Sequence, residues 1–359
     1  MIFRRLIFTV LISGLFACNQ APESVQSAEA GILTNEAQGA EKPSVDAGIV
    51  FQSLDGGNTW LDVSAGLPEK FRPEAVYVQN DEVLVSCESG LFRGVSRPNA
   101  APGWQKSLNM NGAVFALYPG KKGPYAWVFE RGYFQQISSL DIWQPVLMPL
   151  QHDRIYEICE TNSGVIFAVG EKGIFKSPDE GITWKQVYTD GVVMSLMESN
   201  GVLVAGGVRG ILRSTDGGEH WDTVLSEEGL AQIKCQSQGR ILAITAGSKP
   251  NSKGMTEPNT PNRLHMSTDG GITWQRIDET LPPVEFVFDE EERNIYKPTI
   301  RDIKIVGDQL FCSHQTGLLK SSDWGKTWEI VIPTEKDWMF EFSVSGKSIY
   351  AIKVFAAGC

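Results

Sequence analysis

Short apolar runs and polar turns alternate along most of this chain. Several runs are opened by glycine, as in Gly173-Ile-Phe-Lys, Gly210-Ile-Leu-Arg and Gly317-Leu-Leu-Lys. Another run precedes such a segment, for example Val165-Ile-Phe-Ala or Val202-Leu-Val-Ala. Runs this short, rich in branched and aromatic residues and bounded by Gly, Asn and Asp, predict strands joined by tight turns.

After the paired runs comes a turn of fixed composition. Ser53-Leu-Asp55-Gly-Gly57-Asn-Thr59-Trp60 returns as Ser177-Pro-Asp179-Glu-Gly181-Ile-Thr183-Trp184 and as Ser214-Thr-Asp216-Gly-Gly218-Glu-His220-Trp221. It returns again as Ser267-Thr-Asp269-Gly-Gly271-Ile-Thr273-Trp274 and Ser321-Ser-Asp323-Trp-Gly325-Lys-Thr327-Trp328. The residue types explain the pattern. Asp accepts backbone N–H groups within a tight turn, the second Gly supplies a positive φ, and Ser and Thr tie the flanking strands. Trp then packs a large face against a neighbouring unit. Two eroded copies follow the same template, with Gly90-Leu-Phe-Arg leading to Trp104 and Gly132-Tyr-Phe-Gln leading through Asp141 to Trp143.

The tryptophans at 60, 104, 143, 184, 221, 274 and 328 are spaced by 44, 39, 41, 37, 53 and 54 residues. That is the period of a four-stranded propeller blade. The expected fold is all-β, a seven-bladed propeller over residues 47–359. Its closure is legible too. Phe340-Glu-Phe-Ser-Val and Ile349-Tyr-Ala-Ile-Lys-Val read as the first two strands of a last blade, and the segment from residue 47 through Trp60 reads as its third and fourth.

The repeated turn resembles the Asp-box of BNR-repeat propellers, S-x-D-x-G-x-T-W, with His220 the one departure at the Thr position. That group includes sialidases, xyloglucan hydrolases, sortilin-type receptors and photosystem II assembly factors. The resemblance implies that Asp55, Asp179, Asp216, Asp269 and Asp323, with Trp60, Trp184, Trp221, Trp274 and Trp328, are structural rather than catalytic. It also implies ligand binding on the opposite face. Sialidases carry Arg-Ile-Pro before the first box and an arginine triad, whereas Arg-Ile-Pro is absent here and residues 40–52 contain no arginine. Xyloglucan hydrolases pair two propellers, and sortilin-type receptors have ten blades and a Cys-rich extension. The assembly factors agree best in blade count, size and lipid-anchored export.

The N-terminus reads as an address. Arg4 and Arg5 precede an apolar stretch from Leu6 to Phe16, too short for a stable membrane span. It ends in Leu15-Phe16-Ala17-Cys18, which resembles a bacterial lipobox. The resemblance implies a signal peptide over 1–17, acylation of Cys18 and a lipid anchor in the membrane. Asn19 in place of Asp implies the outer membrane. Residues 18–46, rich in Ala, Glu, Gln and Ser without apolar periodicity, are expected to be a flexible tether.

Composition narrows the chemistry. The net charge is −11, and about −13 without Arg4 and Arg5, which argues against nucleic acid as a partner. Only four histidines and no Cys-x-x-Cys give no expectation of a metal or cofactor. His152, His220, His265 and His314 read as surface or turn residues, and Cys87, Cys159, Cys235, Cys312 and Cys359 chiefly as small buried strand residues.

Candidate binding residues fall on the face opposite the boxes. Residues 246–262 and 277–299 are unusually long connections, the second carrying Glu285, Asp289 and Glu290. Arg131, Lys172 and Arg209 occupy equivalent turns, while Arg154 and Arg301 open innermost strands. Such an arc would attract an anionic group, unless Glu130, Glu171, Asp153 or Asp302 neutralise it. The leading reading is a non-catalytic, lipid-anchored propeller binding a protein or glycan through its loop face. The alternative is a glycoside hydrolase of sialidase-like or xyloglucanase-like type, with Glu285, Asp289 and Glu290 the first acids to inspect.

Overall fold

The computed structural model describes residues 32–34, 48–138, 141–148, 154–226, 229–247, 262–283, 299–335 and 338–356. Among these the regular secondary structure is all strand, arranged as seven antiparallel sheets of four blade strands each. Six blades are continuous in sequence, spanning 73–106, 114–146, 155–188, 193–225, 229–276 and 300–333, and are called blades 1 to 6 below. Blade 7 joins the two ends. Trp338–Ser345 and Ser348–Phe355 supply its inner strands, and Val50–Ser53 and Thr59–Asp62 its outer ones, with Gln52 opposite Tyr350. A short strand, Ile32–Thr34, pairs with Thr59–Asp62 beyond the blade, within the stretch expected to be a tether. Cys18 and the leader lie outside the described residues.

Each blade is covered on both faces by its neighbours. Second strands are therefore buried almost end to end, as in Ile166–Gly170 and Gln309–His314, rather than alternating. This same burial corrects two expectations. His265 and His314 sit inside, at 3% and 2% exposure, because they lie on the third and second strands of their blades, which the neighbouring blades cover. His220 does lie in an exposed turn. Cys87, Cys159, Cys235 and Cys312 are free thiols within strands, and Cys359 is outside the described residues.

The repeated turns have one geometry. In Ser267–Trp274, Ser267 Oγ donates to Asp269 Oδ1 at 2.8 Å and accepts the Gly271 N–H at 2.9 Å. Asp269 Oδ1 accepts the N–H groups of Ile272 and Thr273, and Oδ2 accepts the Thr273 hydroxyl at 2.6 Å. The Trp184, Trp221 and Trp274 indoles donate to the turn-glycine carbonyl three residues back. Their rings pack toward the preceding blade, Trp221 against the Phe167 and Ile174 cluster and Trp274 against Val204 and Ile211. Gly218, at φ 87°, is needed twice over, since a Cβ there would lie 2.8 Å from Phe167. The eroded turn in blade 2 uses its carboxylate differently. Asp141 accepts the Ser107 hydroxyl of blade 1 at 2.8 Å and the Trp143 indole N–H at 3.0 Å, so it ties blades rather than a turn.

Candidate functional site

Chain direction fixes two faces. The Asp turns join third to fourth strands on one. The turns joining second to third strands, and the passages between blades, lie on the other, where the innermost strands begin.

That second face carries the predicted cations, though they do not converge. Arg131 Nη1 donates to the Asn111 carbonyl at 2.7 Å, with its guanidinium 4.9 Å from the Phe134 ring. Arg209 Nε donates to the Asp190 carbonyl at 3.0 Å. Both arginines thus brace the loop entering their own blade. Lys172 is exposed, and its carbonyl accepts from Gln186. Arg301 Nη2 donates to Glu341 Oε2 at 3.2 Å in the channel wall. Glu285, Asp289 and Glu290 lie outside the described residues.

The feet of the two long segments are joined. The Asn262 N–H donates to Thr299 Oγ1 at 3.2 Å, and the Thr299 N–H to Asn262 Oδ1 at 3.3 Å. Both residues are buried, so the segment ends at 262 and 299 meet at one edge of the loop face. Beside them Asp278 is nearly enclosed and accepts from Arg276 at 3.0 Å and Arg263 at 3.3 Å.

Two features were not anticipated from sequence. The first is an aromatic rim around Arg154, whose guanidinium lies 5.5 Å from the Trp127 ring and 5.3 Å from that of Tyr156. Phe115 extends it, 5.5 Å from Trp127 and 5.9 Å from Phe129, which is 52% exposed. The alternation in Tyr125-Ala-Trp127-Val-Phe129 was the available signal, but alternation alone does not tell an aromatic rim from an aromatic core.

The second is the charged lining of the axial channel, a space of about 850 Å³ touched by all seven innermost strands. Tyr77, Tyr156, Glu157, Lys234, Asp302, Lys304 and Phe342 line it. Lys304 Nζ meets Asp302 Oδ2 at 3.0 Å. Glu157 Oε2 accepts the Leu196 N–H of the next blade at 3.1 Å. Burial pushes the Glu157 carboxyl up to about 7, against the pull of that N–H and of the Lys234 and Lys304 charges.

A ring of seven four-stranded blades about an open channel defines the class: the chain is a β-propeller. No protein-family model matches it, and no curated protein matches it. Solved structures do. An ancestral GH74 enzyme is 17% identical with a TM-score of 0.52, over 81% of this chain and 41% of that one. The extracellular domain of a one-component system from B. thetaiotaomicron is 10% identical with a TM-score of 0.51, over 79% and 38%. YCF48 bound to a D1 peptide is 13% identical with a TM-score of 0.48, over 86% and 97%. The chain spans less than half the length of the first two, and at these identities they show the fold alone.

Proposed function

We propose that this protein is an exported, lipid-anchored, non-catalytic Asp-box propeller that binds a protein or glycan partner through its loop face. The observation that carries the reading is Arg154 set between Trp127 and Tyr156, with Phe129 exposed beside them. A guanidinium held by aromatic rings already has its rotamer restricted, and Arg, Trp and Tyr are the residues that most often anchor interfaces. The joined feet of the long segments add a shaped edge to the same face. Export and anchoring rest on Cys18 and the apolar leader before it, and Asp55, Asp179, Asp216, Asp269 and Asp323 have turn-building roles.

The test is capture from native membranes by the anchored full-length protein, with Arg154→Ala and Phe129→Ser compared with wild type. The reading expects a partner that both variants lose while keeping the wild-type Tm. Equal capture by all three removes the aromatic rim from the site. Turnover of xyloglucan or sialosides by the purified protein overturns the non-catalytic assignment in favour of a hydrolase. On Cys18, metabolic labelling with a fatty-acid analogue is expected for wild type and not for Cys18→Ser.

A further inference from the structure

We propose that the axial channel is a separate binding site, which takes a carboxylate group and holds it on the ammonium of Lys234. Among the described residues, six charged side chains line the channel: Glu157, Lys234, Arg301, Asp302, Lys304 and Glu341. Four of them are spent in pairs. Lys304 bonds Asp302 and faces the Phe342 ring at 5.6 Å, and Arg301 bonds Glu341. Lys234 is left with no hydrogen bond or ion pair among the described residues. Glu157 is satisfied at Oε2 alone, by the Leu196 N–H, and Oε1 has no partner among them.

Lys234 is half-buried in the channel, where an anion from solution can take up its donors. Burial lowers the tendency of Lys234 to hold its proton; the Asp302 charge is the strongest acting against this, while Lys304 and Arg301 act with it. A carboxylate on Lys234 reverses that balance. The rest of the ligand would meet Tyr77 and Tyr156, with Glu157 Oε1 open to a hydroxyl or amine donor. The volume suits a small molecule or a chain end. The carboxylate could belong to a free organic acid or to the C-terminus of a peptide, and the chemistry at Lys234 is the same.

Titration calorimetry on the full-length protein in detergent separates these sources. The probes are benzoate and trialanine acetylated at its N-terminus, each beside its uncharged amide. Binding of benzoate alone supports a free acid, of trialanine alone a peptide end, and of both a general carboxylate site. In each case the matching amide should not bind, Lys234→Met should weaken affinity by about tenfold or more, and Lys234→Arg should keep it. Melting curves check that both variants fold, and Lys234→Met, which removes an unpaired charge, should melt no lower than wild type. The proposal is overturned if neither carboxylate binds, if an amide binds as well as its acid, or if folded Lys234→Met binds like wild type. Phe129→Ser should leave all of these values unchanged, since Phe129 is not among the residues that line the channel.

Discussion

His220 Nδ1–H donates to Asp216 Oδ2 at 2.6 Å, the place a threonine hydroxyl holds in the other four turns. The turn needs a donor within reach of that oxygen, and imidazole supplies it as well as a hydroxyl does. The Asp216 carboxyl is held below the ordinary carboxylate range, first by the His220 backbone N–H and then by its ring. His220→Thr should therefore leave Tm unchanged and His220→Ala should lower it. Asp216→Ala should lower it further, by removing every bond that the carboxylate accepts. Because the folded carboxyl is the stronger acid, its contribution is complete above the unfolded value near 3.8 and fades as pH falls below it. The loss in Asp216→Ala should shrink accordingly in strong acid. An equal loss at all pH values would contradict the turn-anchoring role.

Trp60 is 1% exposed and packs edge-on against Phe311 of blade 6, ring centres 6.4 Å apart. Trp60→Ala should cost roughly 3–5 kcal/mol in urea unfolding by opening a cavity at the seam that closes the ring. The indole N–H has no hydrogen-bond partner among the described residues, so Trp60→Phe, which keeps most of the packing, should cost clearly less. Equal losses would point to the N–H rather than to the ring.

Two buried groups give opposing pH slopes. Burial raises Glu157 from 4.5 to about 7, so the folded chain keeps a proton that the unfolded chain loses, and stability falls as pH rises through that window. Burial lowers His314 from 6.5 to about 4, consistent with its Nδ1 accepting the Thr316 N–H at 3.2 Å. Its stability is complete above 6.5 and is lost as pH falls toward 4. Glu157→Gln should therefore leave a Tm that rises with pH between 4.5 and 6.5, and His314→Asn one that falls. Each change should amount to roughly 1–3 kcal/mol across its window. Parallel profiles in wild type and both variants would refute the assignment.

Replacing residues 284–298 with a short turn leaves the Asn262–Thr299 clip in place. Tm should hold while partner capture weakens. Breaking the clip with Asn262→Ala should instead cost about 1–3 kcal/mol, because it strands the buried Thr299 N–H. Proteolysis and melting on the same samples separate the two effects. If the shortened variant captures its partner as wild type does, the second long segment is no part of the binding edge.

Blade number, blade period and the joining of Phe340-Glu-Phe to the strand before Trp60 were all readable in the chain, since a local turn motif and a strand template carry them. One reading made from neighbours in sequence failed: Arg131 and Arg301 bond the Asn111 carbonyl and Glu341, not Glu130 and Asp302 beside them. The aromatic rim needs Trp127 from blade 2 and Arg154 and Tyr156 from blade 3, and the channel draws residues from all seven innermost strands. His265 and His314 were expected outside for the same reason, because one strand's pattern does not show that another blade lies against each face. A turn closes within eight residues and leaves its signature there, so the sequence alone determined the architecture. A rim or a channel exists only when the ring closes, and which side chains meet there was decided by the packing of blade on blade.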